Sequence, residues 1–245
     1  MTGKHLALTE RDRALLVEVQ RHGALTRNHL MRLGLFGSKT RANERLQRLT
    51  QAGYLTARHQ PLPSGGPRLV YLPGRLVKVS SDGSRRWLEA SGLFLNHQLG
   101  LVDVRLTFEQ GTTVRRWLTD KELGGVSPGL IPDAYVEFEL EGLTYCAFVE
   151  YDRGTEALGR LERKTRAYLE LAFSGRFERT FGRRFFRALF ITDSPGRLST
   201  MTKAVGRLTD RVVRLTTMNQ LVSQGPIAPI WRSPRSAETH SLTDS

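Results

Sequence analysis

The chain has 245 residues, 39% hydrophobic and 25% charged, with one cysteine and a formal net charge of +13. That length suits one large domain or two small ones with a real core. The lone Cys146 excludes a disulfide framework or a Cys-rich zinc site and reads as a small core residue. The positive excess favours a polyanionic partner, nucleic acid before an anionic membrane surface. No run reaches the roughly 18 apolar residues of a spanning helix, and the first ten residues lack the apolar core of a signal peptide. The expectation is a cytoplasmic protein with no membrane partner.

Charge is unevenly spread: residues 1–75 hold 13 Lys or Arg against 4 Asp or Glu. Thr9-Glu-Arg-Asp12 resembles a capping box opening a helix with Ala14, Leu15, Leu16 and Val19, which Gly23 ends. Thr26 caps a second helix carrying Leu30, Met31 and Leu33. Ser38 caps a third, running to about Ala52 with Gly53 as its stop. In this third helix Ala42, Leu46 and Leu49 form a core stripe. Arg41, Arg45 and Arg48 run beside it, and Lys39, Asn43 and Gln47 add polar reach. Strands over 54–59 and 68–72 then flank a Gly/Pro-rich loop, with Arg58 and Arg68 at its base. Three helices and a hairpin over 1–76 is the layout of a winged helix-turn-helix. Its third helix would enter the major groove of double-stranded DNA, and the loop would form the wing. The alternative is a winged helix packed on protein with solvated arginines. The expected DNA-contacting residues are Lys39, Arg41, Asn43, Arg45, Gln47, Arg48, Arg58 and Arg68.

Residues 77–110 read as a mostly helical connector in which His97 is structural. A strand is expected over 112–118, then a loop over 121–132. From Ala134 to Leu140 apolar and polar residues alternate as in a half-buried strand. Glu141-Gly142 makes a two-residue turn, and a second strand runs from Leu143 to about Tyr151. With Leu140 opposite Leu143, counting outward sets Asp133 opposite Glu150, and Asp152, two residues on, shares that face. Three carboxylates at one hairpin end repel unless a cation or proton relieves them. Mg²⁺, with Mn²⁺ as substitute, is the natural occupant, held by Asp133, Glu150 and Asp152. A register off by one would instead leave solvated strand ends. A helix from about Glu156 to Phe173 buries Leu158, Leu161, Thr165, Tyr168, Leu169 and Ala172. Lys164 and Tyr168 are i, i+4 neighbours beside that stripe. Lys164 either faces the acids or snorkels to solvent. A central strand over 185–193, a helix from Ser194-Pro195 and a strand over 211–216 complete the domain expected over 111–231. Residues 232–245 are expected to be disordered.

Pro132-Asp133, Glu150-Tyr-Asp-Arg-Gly-Thr155 and Lys164-Thr-Arg-Ala-Tyr168 behind a winged helix resemble the bacterial plasmid replication-relaxation family, and more broadly the PD-(D/E)xK nuclease superfamily. The resemblance spans roughly residues 8–220 and implies an α+β protein: a winged helix-turn-helix, then a PD-(D/E)xK-like α/β domain with a central mixed sheet. In that superfamily the first Asp and the Glu hold Mg²⁺, and a Lys two residues after the Glu helps to orient or activate water. Asp133 and Glu150 match the acids. Asp152 stands where the lysine belongs, and Lys164, in a Lys-x-x-x-Tyr context, is the relocated candidate. Asp133, Glu150, Asp152, Lys164 and Tyr168 are therefore the candidate catalytic residues. Two functions follow from this pattern. One is a sequence-specific DNA-binding protein of plasmid or mobile-element replication and maintenance, regulatory and dimeric, with plasmid replication proteins as partners and a nuclease-like domain that need not cleave. The other is a metal-dependent endonuclease or nickase. There is no Gly-rich phosphate loop or Gly-x-Ser-x-Gly elbow to support small-molecule chemistry.

Overall fold

The computed structural model describes residues 6–61, 67–77, 89–124, 126, 129–154, 156–236 and 238–244. The chain divides into two compact units, Met1–Leu106 and Thr107–Ser245.

The first unit runs α1 (Glu10–His22), β1 (Leu25–Thr26), α2 (Arg27–Arg32), α3 (Lys39–Gln51), β2 (Leu55–Pro61) and β3 (Pro67–Pro73). It then enters α4 (Gly92–Gly111), within which the division falls. Each of the first three helices starts at the cap its sequence announces. The Thr9 hydroxyl accepts from Asp12 N, and the Asp12 carboxylate accepts from Thr9 N at 2.7 Å, closing the box. Thr26 and Ser38 cap α2 and α3 through their hydroxyls. In α3, Ala42, Leu46 and Leu49 are fully buried against Leu15, Val19, Leu30 and Leu55. Each of those leucines contributes about 2 kcal/mol by leaving water, which holds the opposite face of α3 outward. β3 lies between β1 and β2, antiparallel to both. This is the three-helix-and-hairpin layout expected. The wing tip, residues 62–66, and the first part of the expected connector, residues 78–88, lie outside the described residues. His97 sits half-buried on α4.

The second unit is a mixed sheet of seven strands among the described residues, in the order β10-β9-β8-β7-β6-β5-β4. Its elements are β4 (Thr113–Thr119), α5 (Asp120–Leu123), β5 (Ala134–Leu140), β6 (Leu143–Asp152), α6 (Leu158–Phe173), α7 (Arg176–Phe181), β7 (Arg187–Thr192), α8 (Pro195–Gly206), β8 (Val213–Thr217), α9 (Met218–Gln224), β9 (Trp231–Arg232) and β10 (Thr239–His240). The architecture is α+β, as expected. Glu141 and Gly142 both take positive φ, 51° and 78°, the backbone of the tight hairpin turn whose twist suits its strands. Leu140 pairs with Leu143 and Ala134 with Val149, so the predicted register holds. β6 and β7 are parallel, as are β7 and β8. Phe148, Phe190, Leu215 and Ala188 pack with Leu161, Tyr168, Leu171, Leu198 and Met201 of α6 and α8 on one sheet face.

Several elements depart from expectation. α5 occupies the start of the expected 121–132 loop, of which residues 125, 127 and 128 are outside the described set. α6 begins at Leu158, which is therefore 37% exposed in the first turn, and Leu171 takes a core place instead. The central strand begins at Arg187, leaving Phe185 79% exposed. The tail expected to be disordered carries β9 and β10, paired antiparallel, with Trp231 and Leu242 buried.

Candidate functional site

The turn at Glu141-Gly142 determines what meets at the far end of the hairpin. One step beyond the Ala134–Val149 pair, Asp133 and Glu150 come together. Tyr151 N donates to Asp133 Oδ2 at 2.8 Å, tying that acid to the β6 backbone. Glu150 points to α6, where Lys164 Nζ donates to its Oε2 at 2.6 Å and Tyr168 Oη to its Oε1 at 2.6 Å. Glu156, just before α6, is a second carboxylate 3.3 Å from Lys164 Nζ. Lys164 thus faces the acids and does not snorkel away.

Burial dominates the electrostatics here. It pushes the Glu150 carboxyl up to about 7, Asp133 adds to the rise, and Lys164 and Tyr168 oppose it. Burial acts to lower the Lys164 ammonium, but Glu150 and Asp133 outweigh it and hold the group above its ordinary value. Tyr168 is driven well upward by burial and by Glu150, which keeps it a hydrogen-bond donor.

Asp152 does not join this set as a third ligand. Arg197 Nε of α8 donates to its Oδ2 at 2.7 Å, and Gly154 N and Glu156 N donate to Oδ1 at 2.8 and 3.3 Å. Its oxygens are committed to a turn and a guanidinium. Among the described residues no group of three or more His, Cys, Asp or Glu is placed to hold a metal ion. Asp133 and Glu150 remain as a pair, and a pair is what Mg²⁺ commonly asks of a protein, the rest of its shell being water and substrate phosphate. Arg197 and Glu156 are the functional neighbours that sequence reasoning missed. A cation in the first turn of a helix opposes the helix dipole, and Arg197 two residues after Pro195 was a signal of an acid partner.

In the first unit the eight expected DNA-contacting residues separate into two groups. Lys39, Arg41, Asn43, Gln47 and Arg48 are exposed on α3. Arg45 is instead tied to Asp12, its Nε 2.8 Å from Oδ1, and its guanidinium also reaches Ala7 O. The wing arginines also turn inward to their own unit: Arg58 donates to Ala90 O at 2.6 Å and Arg68 to Asn96 Oδ1 at 2.7 Å. Arg27, absent from the expected set, donates to Asn43 Oδ1 at 3.0 Å. It lines a groove of about 650 Å³ with Asn43, His59 and Arg68.

A family model described as replication-relaxation matches residues 16–184, a stretch that begins within α1, runs through α7 and holds every acid, lysine and tyrosine of the carboxylate site. The chain belongs to the replication-relaxation family. A search of curated proteins finds no match. Among solved structures, the restriction endonuclease FokI aligns at TM-score 0.37 and 11% identity, over 86% of this chain and 42% of that one. FokI bound to DNA aligns at TM-score 0.35 and 13% identity, over 91% and 45%. This family member spans less than half of the FokI chain. No helix among the described residues is long and apolar enough to cross a membrane.

Proposed function

We propose that this protein binds double-stranded DNA through α3 and acts in the replication or maintenance of a plasmid or mobile element. The observation that carries the reading is α3 itself. Its buried stripe fixes the helix, and the opposite face offers Lys39, Arg41, Asn43, Gln47 and Arg48 to solvent. Those are the types that hold phosphates and read base edges in a major groove. Membership of the replication-relaxation family and the +13 charge support it. Sequence specificity would come from paired half-sites read by a homodimer, about 34–36 Å apart; plasmid replication proteins would be its partners. The test is duplex affinity against salt. If α3 lies on the duplex, Arg41→Ala and Arg48→Ala each lower the slope of log affinity against log salt by about 0.9. Unchanged slopes in both would remove α3 from the interface.

A second reading, metal-dependent nicking of DNA, is favoured by one observation: Lys164 and Tyr168 converge on a buried Glu150 beside Asp133. Asp133 and Glu150 would hold Mg²⁺ or Mn²⁺, and Asp152 would not. A bound ion would neutralise charge on a phosphodiester and acidify a water. Tyr168 fixes the Glu150 carboxylate, and the Lys164 ammonium is placed to stabilise negative charge developing next to it. Metal-dependent nicking of supercoiled plasmid, lost in Asp133→Ala, is the expected result; uncut DNA under Mg²⁺ and Mn²⁺ would exclude it.

A further inference from the structure

At the end of β6 remote from the carboxylates, the second unit opens a groove of about 820 Å³, within the usual range for a binding site. Two phenyl rings stand out along it: Phe173, the last residue of α6, is 74% exposed and Phe185, just before β7, is 79% exposed. Exposure on that scale has a hydrophobic cost, and two exposed aromatics along one groove mark a surface that a partner can cover. The groove is also lined by Tyr145 and by three arginines, Arg184, Arg187 and Arg211, against one carboxylate, Asp244. The Arg184 guanidinium lies 5.8 Å from the Phe185 ring centroid. No carboxylate among the described residues pairs with Arg187, and burial pushes its guanidinium down. On neighbouring β8, Arg214 is pushed to about 10 by burial and by Arg187 itself. Such a groove wants negative charge and flat apolar faces together.

We propose that this groove binds single-stranded nucleic acid, with bases stacked on Phe173 and Phe185 and phosphates held by Arg184 and Arg187. A single strand offers that alternation, a π face on each nucleotide joined by an anionic phosphodiester. In a duplex the base faces are already stacked and out of reach. A second copy of this chain in a two-fold pairing would set arginine against arginine. The contact is independent of α3, so duplex binding by the first unit can stand or fall separately.

The experiment uses the full-length protein and a fluorescein-labelled oligo-dT, an abasic strand of equal length, and a duplex. Phe185→Ala, Phe185→Leu and Phe173→Ala remove exposed rings without changing charge, and circular dichroism checks that each folds. The ring variants are expected to bind oligo-dT about tenfold more weakly, as loss of one stacked base implies, with duplex and abasic affinities unchanged. Arg187→Gln is expected to lower the oligo-dT salt slope by about 0.7. Oligo-dT affinity within twofold of the parent in all three ring variants overturns the proposal. So does parental affinity in Phe185→Leu with loss in Phe185→Ala, which would mark an apolar docking surface for protein. Equal affinity for the abasic strand and oligo-dT also overturns it, since charge alone would then account for binding.

Discussion

Glu150 should titrate near neutrality, and its ionisation should cost the fold stability. Burial and Asp133 raise the carboxyl from 4.5 to about 7. The group is wholly enclosed, so the gap converts to roughly 3 kcal/mol. The native protein binds the extra proton between those two pH values. Stability from this group is therefore fully present below about pH 4.5 and lost as pH rises towards 7. Glu150→Gln abolishes the titration while keeping an acceptor for Tyr168. The difference in unfolding free energy between parent and variant should accordingly change by about 3 kcal/mol from pH 4.5 to 8. Whatever constant offset the lost Lys164 pair introduces does not alter that slope. Urea denaturation at several pH values, read at the buried Trp117 and Trp231, measures it. Carboxyl ¹³C NMR of glutamate-labelled protein gives the midpoint directly. In Lys164→Met the opposing cation is gone, so the midpoint should move higher still. A Glu150 midpoint between 4 and 5, or parallel pH profiles for parent and Glu150→Gln, would refute the account of the site as a desolvated acid pair.

Arg45→Ala removes the partner of Asp12, a side chain with no exposure; the cost to the first unit should be about 3 kcal/mol by thermal unfolding, with the duplex salt slope unchanged. Burial opposes it, but Arg45 and Thr9 bring the Asp12 carboxyl down to about 2, so that stability is present above about pH 3.8 and lost as pH falls through 2; the acid limb of unfolding should flatten in the variant. Gly74→Ala would place a Cβ 2.4 Å from Gly53 O and 2.5 Å from the Tyr54 carbonyl carbon. Backbone cannot yield as a side-chain tip can, so about 3 kcal/mol of stability should be lost, and an unaffected melting temperature would contradict the close approach.

Much of this architecture was legible because its signals are local. Thr9, Thr26 and Ser38 announce their helices within one turn. Glu141-Gly142 settles a register that fixes which acid meets which. Lys164 and Tyr168 share a helix face by spacing alone. What escaped depends on residues distant in sequence or on elements too short to show a period. Asp152 reads as a ligand until Arg197, 45 residues later, is placed upon it. Arg45 reads as a DNA contact until Asp12, 33 residues earlier, claims it. α7 has six residues and α9 seven, less than two turns, and β9 and β10 have two each. Phe185 looked like strand because an apolar run cannot show where burial begins.

The placements of Asp152 and Lys164 belong together. Alternate residues of a strand share a face, so an acid at position 152 adds negative charge on the side of Glu150. Arg197 neutralises that charge from α8, and Lys164 brings the ammonium to Glu150 from α6. The outcome is an acid pair with a lysine beside it. Stability is a poor reason for such wiring. An apolar trio of similar volume in place of Glu150, Lys164 and Tyr168 would hold the sheet to α6 as well or better, because desolvating the charges offsets most of their attraction. The DNA binding proposed for α3 would make no use of the trio. A buried acid near neutrality, braced by a tyrosine and next to a lysine, is the kind of perturbed cluster that function selects and packing does not, which is the physical case for assaying the second unit for nicking alongside the DNA binding proposed for the first.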